Sequence, residues 1–184
     1  MKTLLAATAM ALLGSVAFAQ DNPMVGGAEM PATNDIVTNA MNSADHTTLV
    51  AAVQAAGLVE TLQGEGPFTV FAPTNEAFAA LPEGTVDTLL KPENKEMLTQ
   101  VLTCHVVAGD VTSAQLMQMI TDGGGKAMLD TVGGCPLTAT MNAAGDGIVV
   151  TDENGTAANV TIPDVKQSNG EIHVIDAVLT PKAS

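Results

Sequence analysis

The chain has no arginine, no tryptophan and no tyrosine, and six lysines stand against 20 acidic residues. At a net charge of −14 it would be repelled by phosphate backbones and anionic lipid surfaces, because both are bound through clustered Lys and Arg. Nucleic-acid binding and polybasic membrane docking are excluded on that ground. A charge so far from zero serves solubility. Aromatic scarcity has its own consequence. With four Phe as the whole aromatic complement, the ten Met act as adaptable core filler. A copper site of thioethers is disfavoured, since the closest pair, Met117 and Met119, do not share a helix face.

Long hydrophobic runs are also missing, apart from one at the N-terminus. Lys2 precedes the apolar stretch Leu4–Val16, and Ala17-Phe18-Ala19 supplies the small-x-small pattern of a signal-peptidase site. Membrane-spanning helices need ~20 apolar residues, so this stretch reads as a cleaved leader, residues 1–19, with Gln20 as the new N-terminus. The mature chain is expected to be soluble, without a membrane anchor, and secreted or periplasmic. One well-buried core suits its length. Only two cysteines are present, Cys104 and Cys135, and neither belongs to a C-x-x-C motif. In an oxidising compartment such a pair forms a structural disulfide sooner than a metal or redox site.

Catalytic motifs are missing as well. The sequence contains neither H-E-x-x-H nor G-x-S-x-G. Gly123-Gly124-Gly125-Lys126 lacks the flanking residues of a phosphate loop, with Ile120 and Ala127 in their place. Asp152-Glu153-Asn154-Gly155 fails the spacing of a calcium loop at Ala157 and Pro163. Of the three histidines, His46 is expected at the surface or supporting a helix start. His105 falls on the stripe of Leu98, Val101 and Leu102, so a buried, hydrogen-bonded role is the default. His173 alternates with Ile172 and Val174 in a predicted strand, which makes it the polar member of a half-buried sheet.

What is there divides into helices and then strands. Residues 20–33 hold two Pro and two Gly and read as a flexible lead-in. From Asn34, a candidate N-cap, helical spacing runs through Ile36, Val37, Ala40 and Met41, and again from Asp45 to Ala56 until Gly57 interrupts it. Phe68–Ala72 is a strand stopped by Pro73. Helices follow over Asn75–Leu81 and from Glu93 to about Cys104, and Thr112 and Gln115 have capping-box spacing before a third. Strand candidates are 135–141, 148–151, 157–162, 165–167 and 171–179. Asn154-Gly155 and Asn169-Gly170 read as hairpin turns. Segregated helices and strands predict an α+β fold.

Three of these segments carry a resemblance. Phe68–Phe78 (FTVFAPTNEAF) and Asn169–Pro181 (NGEIHVIDAVLTP) resemble the two signatures of fasciclin domains, and Val101–Val111 (VLTCHVVAGDV) resembles the family's Tyr-His segment. The likeness covers about residues 34–181. It implies a β-sandwich-like wedge with helices packed along it, and a non-enzymatic role in adhesion to a cell-surface or extracellular matrix protein or polysaccharide, without cofactor or metal. Signature positions carried over are Phe71, Pro73, Thr74, Asn75, Phe78, His105, Asn169, Gly170, His173 and Asp176. Cys104 stands where the family usually has Tyr, and a Cys104–Cys135 bridge would replace that packing. Asp164 and Val165 match an Asp-aliphatic pair linked to adhesion in animal members. Their alternative is local: an Asp at a strand entry and a Val in the core. The competing function is a periplasmic small-ligand or metal sensor using His105, His173 and nearby acidic groups.

Overall fold

In a computed structural model, residues 22–182 are described, so the expected leader lies outside the described residues. The first half is helical: α1 (Ile36–Asn42), α2 (Thr47–Ala56), α3 (Val59–Gln63), α4 (Asn75–Ala79), α5 (Thr85–Leu89) and α6 (Lys95–Thr103), with α7 (Ser113–Asp122) following. Strands are β1 (Met24–Val25), β2 (Ala28–Glu29), β3 (Phe68–Pro73), β4 (Val106–Ala108), β5 (Lys126–Asp130), β6 (Pro136–Met141), β7 (Ile148–Thr151), β8 (Ala157–Gln167) and β9 (Gly170–Ile175). The α+β fold expected from the sequence is the fold observed.

The last seven strands make one sheet in the order β4-β3-β9-β8-β7-β6-β5, antiparallel except for the β3–β9 pair. β8 pairs with β7 through Ala157–Asn159 and with β9 from Val160 to Gln167, with register shifts between Val160 and Val165. Such irregularities bend a strand, and here they fall where the sheet turns back on itself. The two ends of the sheet meet through a Val107–Thr131 bridge and a bond from the Val132 N–H to the Val106 carbonyl, 2.8 Å. Cys104 and Cys135 are disulfide-bonded beside this closure, Cα–Cα 5.3 Å, joining the end of α6 to the start of β6.

Strand alternation sends side chains into two cores. Val70 and Ala72 of β3, with Ile172 and Val174 of β9, face the helices and pack with Leu49, Val53, Leu98 and Leu102. Phe71 and Ile175 face the inside of the folded sheet, packing with Leu137, Val150, Ala158 and, from α7, Leu116 and Ile120. The β8–β9 turn lies against the start of β3, so a Cβ on Gly170 would stand 1.9 Å from the Phe68 carbonyl oxygen. Only glycine fits there, at φ 155°.

Several local expectations change. Residues 22–33 form the β1–β2 hairpin, and Val25 and Met30 enter the helix-side core, so the described part of the expected lead-in is packed. Asp35, not Asn34, caps α1, its carboxylate accepting from the Thr38 N–H at 2.9 Å. Asp45 does not cap α2. Asn75 does so from α4, accepting from the Thr48 N–H at 3.0 Å. The expected strands 157–162 and 165–167 are one bent strand, β8.

Candidate functional site

The signature positions are clamps between elements. Thr74 caps α4 through its hydroxyl, which accepts from the Ala77 N–H. Phe78 is in the helix-side core and Pro73 ends β3. Asn169 accepts from the Ile36 N–H at 3.1 Å and donates to the Leu62 carbonyl at 2.7 Å, tying the β8–β9 turn to α1 and α3. Asp176 accepts from the backbone N–H and the side-chain amide of Asn159. One clamp outside the signatures is Asp152, which accepts from the N–H groups of Asn154, Thr156 and Thr180.

His105 sits at the end of α6, 2 % exposed. Its Nε2 accepts from the Leu179 N–H at 2.9 Å, so Nδ1 carries the proton and donates to the Val101 carbonyl at 2.8 Å. Burial lowers its pKa to about 4. Both ring nitrogens are therefore committed to holding the C-terminal segment against α6, and His105 takes no part in the histidine–carboxylate group described below. His46, expected at the surface, is 3 % exposed. Its Nδ1 bonds the Ser43 hydroxyl at 2.8 Å, its Nε2 has no partner, and it lines an apolar cavity of about 60 Å³ between helices and sheet. Burial lowers its pKa too.

The polar group lies at one mouth of the folded sheet. His173, on the same face of β9 as Phe71 is on β3, packs its ring against the Phe71 ring, centroids 5.6 Å apart. Its Nδ1 accepts from the Asp164 N–H at 3.2 Å, so Nε2 donates to the Val111 carbonyl at 2.8 Å. Burial lowers its pKa as well. Glu171, two residues earlier and on the same face, is fully buried, and neither carboxyl oxygen has a hydrogen-bond partner. Burial, reinforced by the carboxylates of Asp164 and Asp110, raises its pKa to about 8. Ligand atoms of Asp164, Glu171 and His173 all lie within 4.8 Å of one another.

Asp164 is held from the other side by α7. The Ser113 N–H donates to one carboxylate oxygen at 2.7 Å and the Ser113 hydroxyl to the other. Burial alone would raise the Asp164 pKa, but the Ser113 bonds outweigh it and hold the group below the usual carboxylate range. Among the described residues Asp164 is the one non-glycine with positive φ, 57°. Val165 is 1 % exposed and belongs to the helix-side core. A partner could touch Val165 only by opening the fold. The sequence did not flag Glu171, although its i, i+2 spacing from His173 in a predicted strand puts the two on one face.

Comparison with known proteins places this geometry in a family. A family model described as the fasciclin domain matches residues 44–181. The chain is 44 % identical over 195 residues to Protein sll1483 of Synechocystis, covering 98 % of this chain and 99 % of that protein. It is 33 % identical to Immunogenic protein MPB70 of Mycobacterium bovis, covering 92 % of this chain and 81 % of that one. Transforming growth factor-beta-induced protein ig-h3 of Sus scrofa is 39 % identical over 74 % of this chain, which spans 18 % of that longer protein. Among solved structures, a FAS1 domain pair from the insect cell adhesion molecule Fasciclin I superimposes with a TM-score of 0.69 at 18 % identity, over 82 % of this chain and 51 % of that one. The chain belongs to the fasciclin domain family.

Proposed function

We propose that this protein is an exported binding module that attaches to a cell-surface or extracellular matrix component, protein or polysaccharide, and catalyses no reaction. The observation that carries the reading is that the fasciclin domain, residues 44–181, fills nearly all of the described chain, residues 22–182. Binding by the described residues therefore falls to this domain. Two further points support it. His105 spends both ring nitrogens on backbone groups, which removes it as a free general base. The disulfide at the sheet closure and the leader pattern at residues 1–19 suit a working place outside the cytoplasm. No helix among the described residues is long and apolar enough to cross a membrane.

The contact surface lies on exposed side chains and does not include Val165. The test is binding of the purified protein, without residues 1–19, to whole cells, polysaccharides and matrix proteins, alongside Asp164→Ala. Saturable binding that Asp164→Ala retains supports the reading and sets the contact away from the β8 bend. Loss of binding in a folded variant sets it at the 109–113 loop, which Asp164 anchors through Ser113. Absence of saturable binding to every surface contradicts the proposal.

A further inference from the structure

We propose that Asp164, Glu171 and His173, with Asp110 at the entrance, form a binding site for one divalent cation of the Zn²⁺ or Mn²⁺ kind. Two independent observations carry this. One is geometric: an oxygen of Asp164, an oxygen of Glu171 and a ring nitrogen of His173 already lie within 4.8 Å of one another, close enough for a single ion bonded at about 2.0–2.2 Å to reach them with small side-chain movements. The other is the state of Glu171. Its carboxyl is fully buried, and both oxygens lack any partner. Buried polar groups in native proteins are nearly always bonded, so an orphaned carboxyl marks a missing partner. No N–H or O–H donor among the described residues fills that place, and its neighbours are the carboxylates of Asp164 and Asp110, which can only accept from a protonated Glu171. Among the described residues no lysine is hydrogen-bonded to these acidic groups, so without an ion only a proton on Glu171 offsets their charge.

The chain also prepares the imidazole. The Val111 carbonyl takes the Nε2 proton of His173 at 2.8 Å and so leaves the Nδ1 lone pair facing Asp164. A ligating histidine whose other nitrogen donates to a backbone carbonyl is the usual supporting arrangement at metal sites. Binding would exchange the long 3.2 Å bond from the Asp164 N–H for coordination at Nδ1. Ser113 fixes the Asp164 carboxylate from behind, and Asp110 is exposed, which gives an ion a path in from solvent. Mixed carboxylate and imidazole donors suit Zn²⁺ or Mn²⁺ better than Mg²⁺, which favours oxygen and gives up its water reluctantly. Such a site is a departure from the metal-free protein expected from the sequence, and it does not depend on the adhesion reading.

The test uses the full mature chain, treated with EDTA and dialysed, then titrated with Zn²⁺ and separately with Mn²⁺ by calorimetry and thermal unfolding at pH 7.5. The expected result is one ion per chain, a Tm that rises with ion concentration, loss of binding in Glu171→Gln, and affinity weaker by about tenfold or more in Asp110→Asn. Glu153→Gln, at an exposed acidic position outside the group, should bind as the parent does. Should Glu171→Gln fail to fold, broadening of the His173 ring resonances by Mn²⁺ in the unmodified chain decides the question. No stoichiometric binding of either ion, binding that Glu171→Gln leaves intact, or His173 resonances untouched by Mn²⁺ would each overturn the proposal.

Discussion

Acid should attack this fold through His105 well before most carboxylates are protonated. Protonation would place a second N–H at Nε2, directly opposite the Leu179 N–H it now accepts from, while the ring remains buried. Burial disfavours the charged ring and lowers the folded pKa from 6.5 to about 4. A depressed histidine pKa means that the unfolded chain binds the proton first, so this stability is present above pH 6.5 and lost as pH falls towards 4. Between pH 7 and pH 4.5 the linkage from this residue amounts to about 2 kcal/mol. His105→Ala supplies the control. At pH 7 it should cost about 3 kcal/mol, through a cavity and two stranded backbone groups. At pH 4.5 the gap between parent and variant should narrow by about 2 kcal/mol, since the variant has no imidazole to protonate. Urea unfolding at the two pH values reads the gap, and the His105 ring resonances give the folded pKa directly. A gap independent of pH, or a ring that titrates near 6.5 in the folded protein, would mean that His105 does not carry this acid sensitivity.

Three other outcomes are expected. Replacing both Cys104 and Cys135 by Ser should lower stability by roughly 3–4 kcal/mol, since the bridge closes a loop with a sequence separation of 31; urea unfolding with and without reductant measures it. Glu171 has the opposite sign from His105. With its pKa raised to about 8, the folded chain keeps a proton that the unfolded chain has lost, so stability in EDTA should fall as pH rises from 6.5 to 8, and Glu171→Gln should flatten that limb. Asn169→Ala removes the amide that joins the β8–β9 turn to Ile36, Leu62 and Gly64; a loss of roughly 2–3 kcal/mol is expected, with the amide protons of α1 exchanging faster.

How far the sequence could be read follows from where the information sits. The capping box at Thr112 and Gln115 is local and appears as expected, with both reciprocal bonds present. Alternation in Phe68–Pro73 and Gly170–Ile175 is also local, and each strand divides its side chains between the two cores. Non-local features were hidden. Gly26-Gly27 reads as a loop until its two positive φ values are seen turning a hairpin that buries Val25. Lys126–Asp130 was not expected as a strand, although Ala127 and Leu129 alternate inward, because Met128 presents an apolar side chain to solvent at 60 % exposure. His46 looked superficial because burial by a neighbouring helix leaves no mark on its own segment. The acidic mouth needs the β8 bend, the β8–β9 register and the 109–113 loop together, and none of these is written in any one stretch of chain.

If this fasciclin domain works by attachment, the folded protein must bind a surface that the unfolded chain does not. Purified protein without residues 1–19, shown to be folded by circular dichroism, is applied to cells and to arrays of polysaccharides and matrix proteins, with a heat-denatured, reduced sample alongside. Saturable binding to at least one surface, lost when the fold is lost, is the predicted result. Folded protein that saturates no surface, or binding that denatured chain reproduces, would contradict it.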